Sequence, residues 1–164
     1  MYVKSDERTN GFTIVELIVV IAVIGILLAI ATFGFSQYQR KAKMEEQMRT
    51  LYADLMESRS KALYEKIPRT VKVQANSYAV YPAPNAAGTP ELSRVLNYPV
   101  VFSLATDNVF NTQGVLANAT AKTICIQEQP NQLSVDAVII TETMVSIGKR
   151  TNGAACATAN ITEK

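Results

Sequence analysis

Glu16 is a lone carboxylate inside the apolar run Phe12-Thr13-Ile14-Val15-Glu16-Leu17-Ile18-Val19-Val20-Ile21-Ala22-Val23-Ile24-Gly25-Ile26-Leu27-Leu28-Ala29. A charge within a membrane-length helix costs roughly 2.5 to 3.5 kcal/mol on insertion scales, so Glu16 demands a compensating partner. Charge pairing, rather than turnover, is the chemistry this position offers. The rest of the chain adds little reactive equipment. It has no His, which removes the commonest general base and metal ligand, and it carries no P-loop, GxSxG or HExxH pattern. We therefore expect no enzyme activity, no catalytic residue, no metal site and no cofactor. Cys125 and Cys156 lie 31 positions apart, outside any CxxC or zinc spacing. In an oxidising compartment they should form a disulfide, and in the cytoplasm they would be two buried thiols. A net charge of +2 and a pI near 8.5 are too mild to imply nucleic-acid binding. Lys122, Lys149 and Arg150 are the cations to examine for phosphate contact, with no aromatic partner near them in sequence.

The element that must position Glu16 is a long helix. Uncharged sequence runs from Leu17 to Gln39, about the 20 residues that cross a bilayer. The helical pattern extends from Phe12 to about Lys66, where Ile67-Pro68 stops it because the residue before Pro is driven out of the helical region. At 1.5 Å per residue this is roughly 80 Å. The first half is apolar all round. From Arg40 onward the apolar residues thin to Met44, Met48, Leu51, Leu55, Ala62 and Leu63, one stripe at helical spacing. Between the halves, Gly34 in Thr32-Phe33-Gly34-Phe35 is either a soft point or a site flanked by interfacial aromatic anchors.

After Pro68 the period becomes two. Candidate strands are Thr70 to Val73, Ser77 to Tyr81, Val100 to Leu104, Val109 to Phe110, Thr123 to Gln127, Ser134 to Ile140 and Met144 to Ile147, with Pro82 to Pro90 as an exposed loop. About 100 residues suffice for one small globular domain. The fold class is α+β, a long amino-terminal helix whose amphipathic half packs against a small antiparallel β-sheet domain. An ordinary membrane anchor would leave Glu16 unexplained. A secretory signal cut near Ala29-Ile30-Ala31 would have a shorter apolar stretch without a carboxylate. Lys4 and Arg8 before the span face Arg40, Lys41 and Lys43 after it, a weak vote against a cytoplasmic amino terminus.

The polar segment Lys4-Ser5-Asp6-Glu7-Arg8-Thr9-Asn10, ending at Gly11 and followed by Phe12-Thr13-x-x-Glu16 and an apolar helix, resembles the class III signal of type IV prepilins and pseudopilins. The resemblance implies a pilin-like fold and overrides the charge vote on orientation. It implies cleavage by a prepilin peptidase between Gly11 and Phe12, methylation of the new Phe12 amine, and a subunit-assembly role for Glu16. The domains it implies are a leader at 1–11, a transmembrane and filament-core half-helix at 12–39, and an extracytoplasmic globular domain at 40–164. Beyond the leader, Ser58-Arg59-Ser60-Lys61-Ala62, Val71-Lys72-Val73, Tyr78-Ala79-Val80-Tyr81, Val109 to Gly114 and Ile147-Gly148-Lys149-Arg150 are most similar to the H-type minor pseudopilin class (GspH/FimT), which ends in a Gly-basic hairpin. The expected function is a minor pilin or pseudopilin, a structural subunit of a type II secretion pseudopilus or type IV pilus in the bacterial inner membrane. Its partners would be other pilin subunits, the prepilin peptidase, the inner-membrane assembly platform and lipid. By analogy with minor pilins of this class that capture DNA, DNA uptake through Lys122, Lys149 and Arg150 is the alternative.

Overall fold

A computed structural model describes residues 11–104, 107–118, 120–128 and 133–164, with the side chains of residues 30–34 outside that description. The leader residues 1–10 and the side chains of Thr32, Phe33 and Gly34 therefore lie outside the described residues. The chain divides into two compact units, with the boundary in sequence between Gln39 and Arg40.

Helix α1 runs from Ile14 to Glu65, 52 residues. Its end has a local cause. Lys66 takes φ of 59°, the left-handed conformation that commonly caps a helix, and Pro68 has no amide proton with which to resume the ladder.

Among the described residues of the Arg40–Lys164 unit, nine strands follow: β1 Arg69–Gln74, β2 Ser77–Tyr81, β3 Leu92–Val95, β4 Val100–Phe102, β5 Asn108–Phe110, β6 Lys122–Ile126, β7 Ala137–Ile140, β8 Val145–Arg150 and β9 Ile161–Glu163. They form two antiparallel sheets, ordered β3-β2-β1-β5 and β4-β6-β7-β8-β9. The helix supplies the spine of the core. Met44, Met48, Leu51, Leu55 and Ala62 are fully buried, packed in one cluster with Val71, Val80, Phe110, Ile124, Ile126, Val138 and Ile140. Leu63, expected on the same stripe, is instead 42% exposed. Asp54 and Ser58 sit buried on the stripe, the Ser58 hydroxyl donating to the Asp54 carbonyl at 2.7 Å.

Strands β6 and β7 are buried at every position, so they lack the in-out alternation of a one-faced sheet. The reason is a second apolar layer: Cys125, Ala137 and Ile139 pack with Ile161, Val101 and Cys156 on the face away from the main core.

Two strands, β3 and β9, escaped the sequence reading, and Gly148 needs correcting. It lies inside β8, opposite Glu163 of β9, and not in a hairpin turn. A Cβ there would stand 2.5 Å from Ile161 Cγ2 and 2.8 Å from the Thr162 carbonyl oxygen. The glycine is what lets β9 approach.

Candidate functional site: the first turn of the long helix

The helix begins at Ile14, with Thr13 as its cap directly after Phe12. Thr13 Oγ1 accepts the Glu16 backbone N–H at 3.2 Å, the bond a helix N-cap makes, and Leu17 N–H closes the first turn on the Thr13 carbonyl at 3.2 Å. Glu16 thus stands in the first turn, where a carboxylate also meets the positive end of the helix dipole. Every described side chain from Gly11 to Ala29 is exposed in the isolated chain, Phe12 by 82% and Ile14 by 79%. A helix apolar on all sides buries itself only in lipid or against other helices. Among the described residues no helix is long and apolar enough to cross a membrane; the uncharged sequence beyond Ala29 passes through residues 30–34.

Gly11 is informative for what surrounds it. A Cβ placed there meets nothing within 4 Å, so packing in this chain does not require a glycine. A requirement for Gly11 would have to come from a molecule that reads the segment.

Cys125 and Cys156 form a disulfide with their Cα atoms 5.9 Å apart. It ties β6 to the segment before β9, so the carboxyl-terminal residues are held twice, by the bond and by β8–β9 pairing. Replacing both cysteines with Ser is expected to lower stability by about 3–4 kcal/mol on loop-closure grounds. Amide exchange should accelerate most between residues 151 and 157, while Ile161–Glu163 keeps its ladder. Unchanged exchange in that segment would contradict this.

The three cations considered for phosphate contact do not form a surface patch. Lys122 is 3% exposed and donates to the Asp107 carbonyl at 2.7 Å; burial pushes its ammonium pKa down, partly offset by the Asp107 charge. Arg150 is 6% exposed, donating to the Ile126 carbonyl at 2.7 Å beside Asp136. Both are corrected from candidate DNA contacts to internal cations of the sheet. Lys149 alone is half-buried, in a cleft with Thr162 and Lys164.

Residues 8–32 match the prokaryotic N-terminal methylation motif. The type IV major pilin protein PilA of Myxococcus xanthus (strain DK1622) is 42% identical over 50 residues, 30% of this chain and 23% of that protein's length. The fold matches the type IV minor pilin FimU of Pseudomonas aeruginosa (strain PAO1), with a TM-score of 0.56 at 13% identity over 68% of this chain and 92% of FimU. A second crystal form of FimU gives 0.53 at 14% identity, over 64% and 92%. The amino terminus thus carries the prokaryotic methylation motif and is similar to a type IV pilin, and the chain has a pilin-like fold.

The Arg40–Lys164 unit also contains polar groups that sequence reasoning missed. Asp54 Oδ2 accepts the Tyr78 hydroxyl at 2.5 Å and Arg94 Nε at 2.7 Å; burial, then the Asp54 carboxylate, push the Tyr78 pKa up. Glu91 bridges Lys61 and Arg69, whose hydrogen bonds hold its carboxyl below the ordinary range. Arg59 Nε donates to the Gly114 carbonyl at 2.8 Å, and Gly114, at φ of 69°, packs against the Arg59 backbone. Arg59 is thus a tie between helix and loop rather than a solvated charge. Charged side chains in strands and along the buried helix stripe were the available clue.

Proposed function

We propose that this chain is a minor pilin or pseudopilin, a structural subunit of a type II secretion pseudopilus or type IV pilus. In this reading, residues 1–11 are a leader, 12–39 the membrane and filament-core segment, and 40–164 the extracytoplasmic domain. Prepilin peptidase cuts after Gly11, and the freed amine of Phe12 is methylated. The observation that carries the reading is Glu16 in the first turn of an exposed apolar helix that starts directly after Gly11-Phe12. Likeness to a minor pilin in fold favours the minor class over a major subunit.

The work such a subunit does is mechanical. Cleavage places a cationic amine at the very start of the helix. In lipid, a neighbouring subunit's amine at Phe12 neutralises Glu16, offsetting the penalty each charge carries alone. A pair of buried charges at fixed helix positions also sets the axial stagger between subunits. The apolar helices then bundle as the filament core, with the domains outside. The assembly platform of the inner membrane and the other pilin subunits are the partners this requires. Lys122 and Arg150 are committed internally, so neither supports DNA capture.

Gly11→Glu tests the reading in cells that assemble the filament. The variant is expected to keep its leader and to be absent from the sheared filament fraction. A mature-length Gly11→Glu chain in that fraction at native abundance would contradict the proposal.

A further inference from the structure

Basic residues cluster on the unexpected side of the apolar helix. The run from Leu17 to Gln39 holds 23 uncharged residues, about 35 Å of helix at 1.5 Å per residue, against a hydrocarbon layer of about 30 Å. Next come Arg40-Lys41-Ala42-Lys43, so three cations stand where the run reaches the headgroups. Tyr38, just before them in sequence, is the kind of amphipathic ring that concentrates at that interface. On the other side of the span the only basic residues are Lys4 and Arg8, and the cleavage proposed above removes both. Lys and Arg near a span favour the cytoplasmic face. Three of them on the opposite face work against insertion in the proposed orientation, which asks for a use there.

The order of the charges points to lipid. Arg40, Lys41 and Lys43 come first, and Glu45 and Glu46 follow a turn later, so the cations lie nearest the span and the carboxylates beyond them. A negatively charged surface selects that order. Glu45 Oε1 accepts the Ser134 backbone N–H at 2.5 Å, and Glu46 is exposed in the turn past Lys43. Arg40 pairs with Glu128, but both side chains are more than half exposed. A pair of that kind contributes little, and the guanidinium can exchange it for a phosphate, whose geometry its fork matches.

The spread of the cations around the helix separates lipid from a protein partner. At 3.6 residues per turn, Lys41 and Lys43 stand about 160° apart. They flank Met44, which is fully buried in the core, with Lys43 exposed and Lys41 half-buried. A neighbouring subunit on one flank meets only one of them, whereas a headgroup layer surrounds the helix and meets both.

We infer that Arg40, Lys41 and Lys43 form a collar that binds the phosphates of anionic phospholipids in the extracytoplasmic leaflet, fixing the depth of the subunit before it enters a filament. The inference rests on the membrane reading above. It assigns the chain a lipid partner distinct from the Glu16 pairing.

The test uses the full chain, purified from membranes in a neutral detergent. Native mass spectrometry counts bound phosphatidylglycerol or phosphatidylcholine with identical acyl chains. Each cation at an anionic surface strengthens attraction about fivefold, so phosphatidylglycerol should bind about tenfold tighter at about 50 mM salt and lose most of that advantage at about 500 mM. The triple variant Arg40→Gln, Lys41→Gln, Lys43→Gln should bind the two lipids within about twofold of each other. The charge-conserving set Arg40→Lys, Lys41→Arg, Lys43→Arg should keep the preference, as should Glu45→Gln with Glu46→Gln. Equal affinity of the native chain for both lipids would overturn the inference, and so would a preference that survives the triple change. Inorganic phosphate competing as strongly as the headgroup would also overturn it, by revealing a site for a soluble anion. If carbonate washing leaves the native chain in the membrane pellet and no lipid preference is seen, the collar alone fails. Release of the chain into the wash would sink the membrane reading with it.

Discussion

Glu16→Ala chains are expected to insert into the membrane at least as well as the native chain and to vanish from the sheared filament. The two effects have one origin. Removing the carboxylate relieves an insertion penalty of roughly 2.5–3.5 kcal/mol, which favours the isolated helix in lipid. In the assembled state the same deletion strands the Phe12 amine of a neighbour in an apolar bundle. Breaking a buried pair by deleting one member costs about 3–5 kcal/mol, so the affinity of each added subunit falls by a factor of about 100 or more. Glu16→Gln separates charge from shape, since the amide keeps the size and the first-turn position but cannot neutralise an amine. It should fail in assembly almost as completely. Quantitative blotting of membrane and sheared fractions reads both numbers, and Glu16→Ala recovered in filaments at native abundance would end the pairing account.

Asp136→Ala is expected to be the most damaging single change in the Arg40–Lys164 unit. Asp136 is 2% exposed; its Oδ1 accepts the Arg150 backbone N–H at 2.6 Å, and its backbone carbonyl takes the Ile126 N–H at 3.0 Å while its own N–H reaches the Gly148 carbonyl at 3.2 Å. One residue therefore joins β6 to β8 where β7 begins. Without the carboxylate the Arg150 guanidinium remains buried with its counter-charge gone, a loss of about 3–5 kcal/mol against a total stability of about 5–15 kcal/mol for a domain. Asp136→Ala combined with Arg150→Met should lose less than Asp136→Ala alone, because the uncompensated charge leaves with its partner. Thermal unfolding of the detergent-solubilised chain distinguishes these outcomes; a double variant no more stable than the single would show that the backbone bond, not the charge, dominates.

How much of this was legible in the chain depends on the range of the interaction. The helix stripe is a local pattern, and Met44, Met48, Leu51, Leu55 and Ala62 are all buried as their spacing required. Strand β2 is legible at both ends because Tyr78 and Val80, on the buried face, alternate with Ser77, Ala79 and Tyr81 on the other. Strand β3 was not, since Ser93 and Arg94 interrupt any apolar pattern and what holds Arg94 in place is Asp54, forty residues away in sequence. Strand β9 holds three residues and is drawn in by the gap that Gly148 leaves in its neighbour. Lys122 and Arg150 looked like surface cations because charged residues are almost never fully buried unless paired. Their partners, the Asp107 carbonyl and the Asp136 carboxylate, are set by tertiary structure. At the amino terminus the opposite held. Thr13-x-x-Glu16 has the spacing of a capping box, a local pattern that fixes where the helix starts and was overlooked beside the charge of Glu16.

The central claim is that the chain is matured at Gly11 so that its helix begins with a free amine one turn ahead of Glu16. Intact-mass measurement of the protein extracted from the membranes of its own cells tests this most directly. The account predicts the mass of residues 12–164 with one added methyl group, located by fragmentation on the amine of Phe12, and one disulfide. A chain that still begins at Met1, or one cut after Ala31 to begin at Thr32, would contradict it.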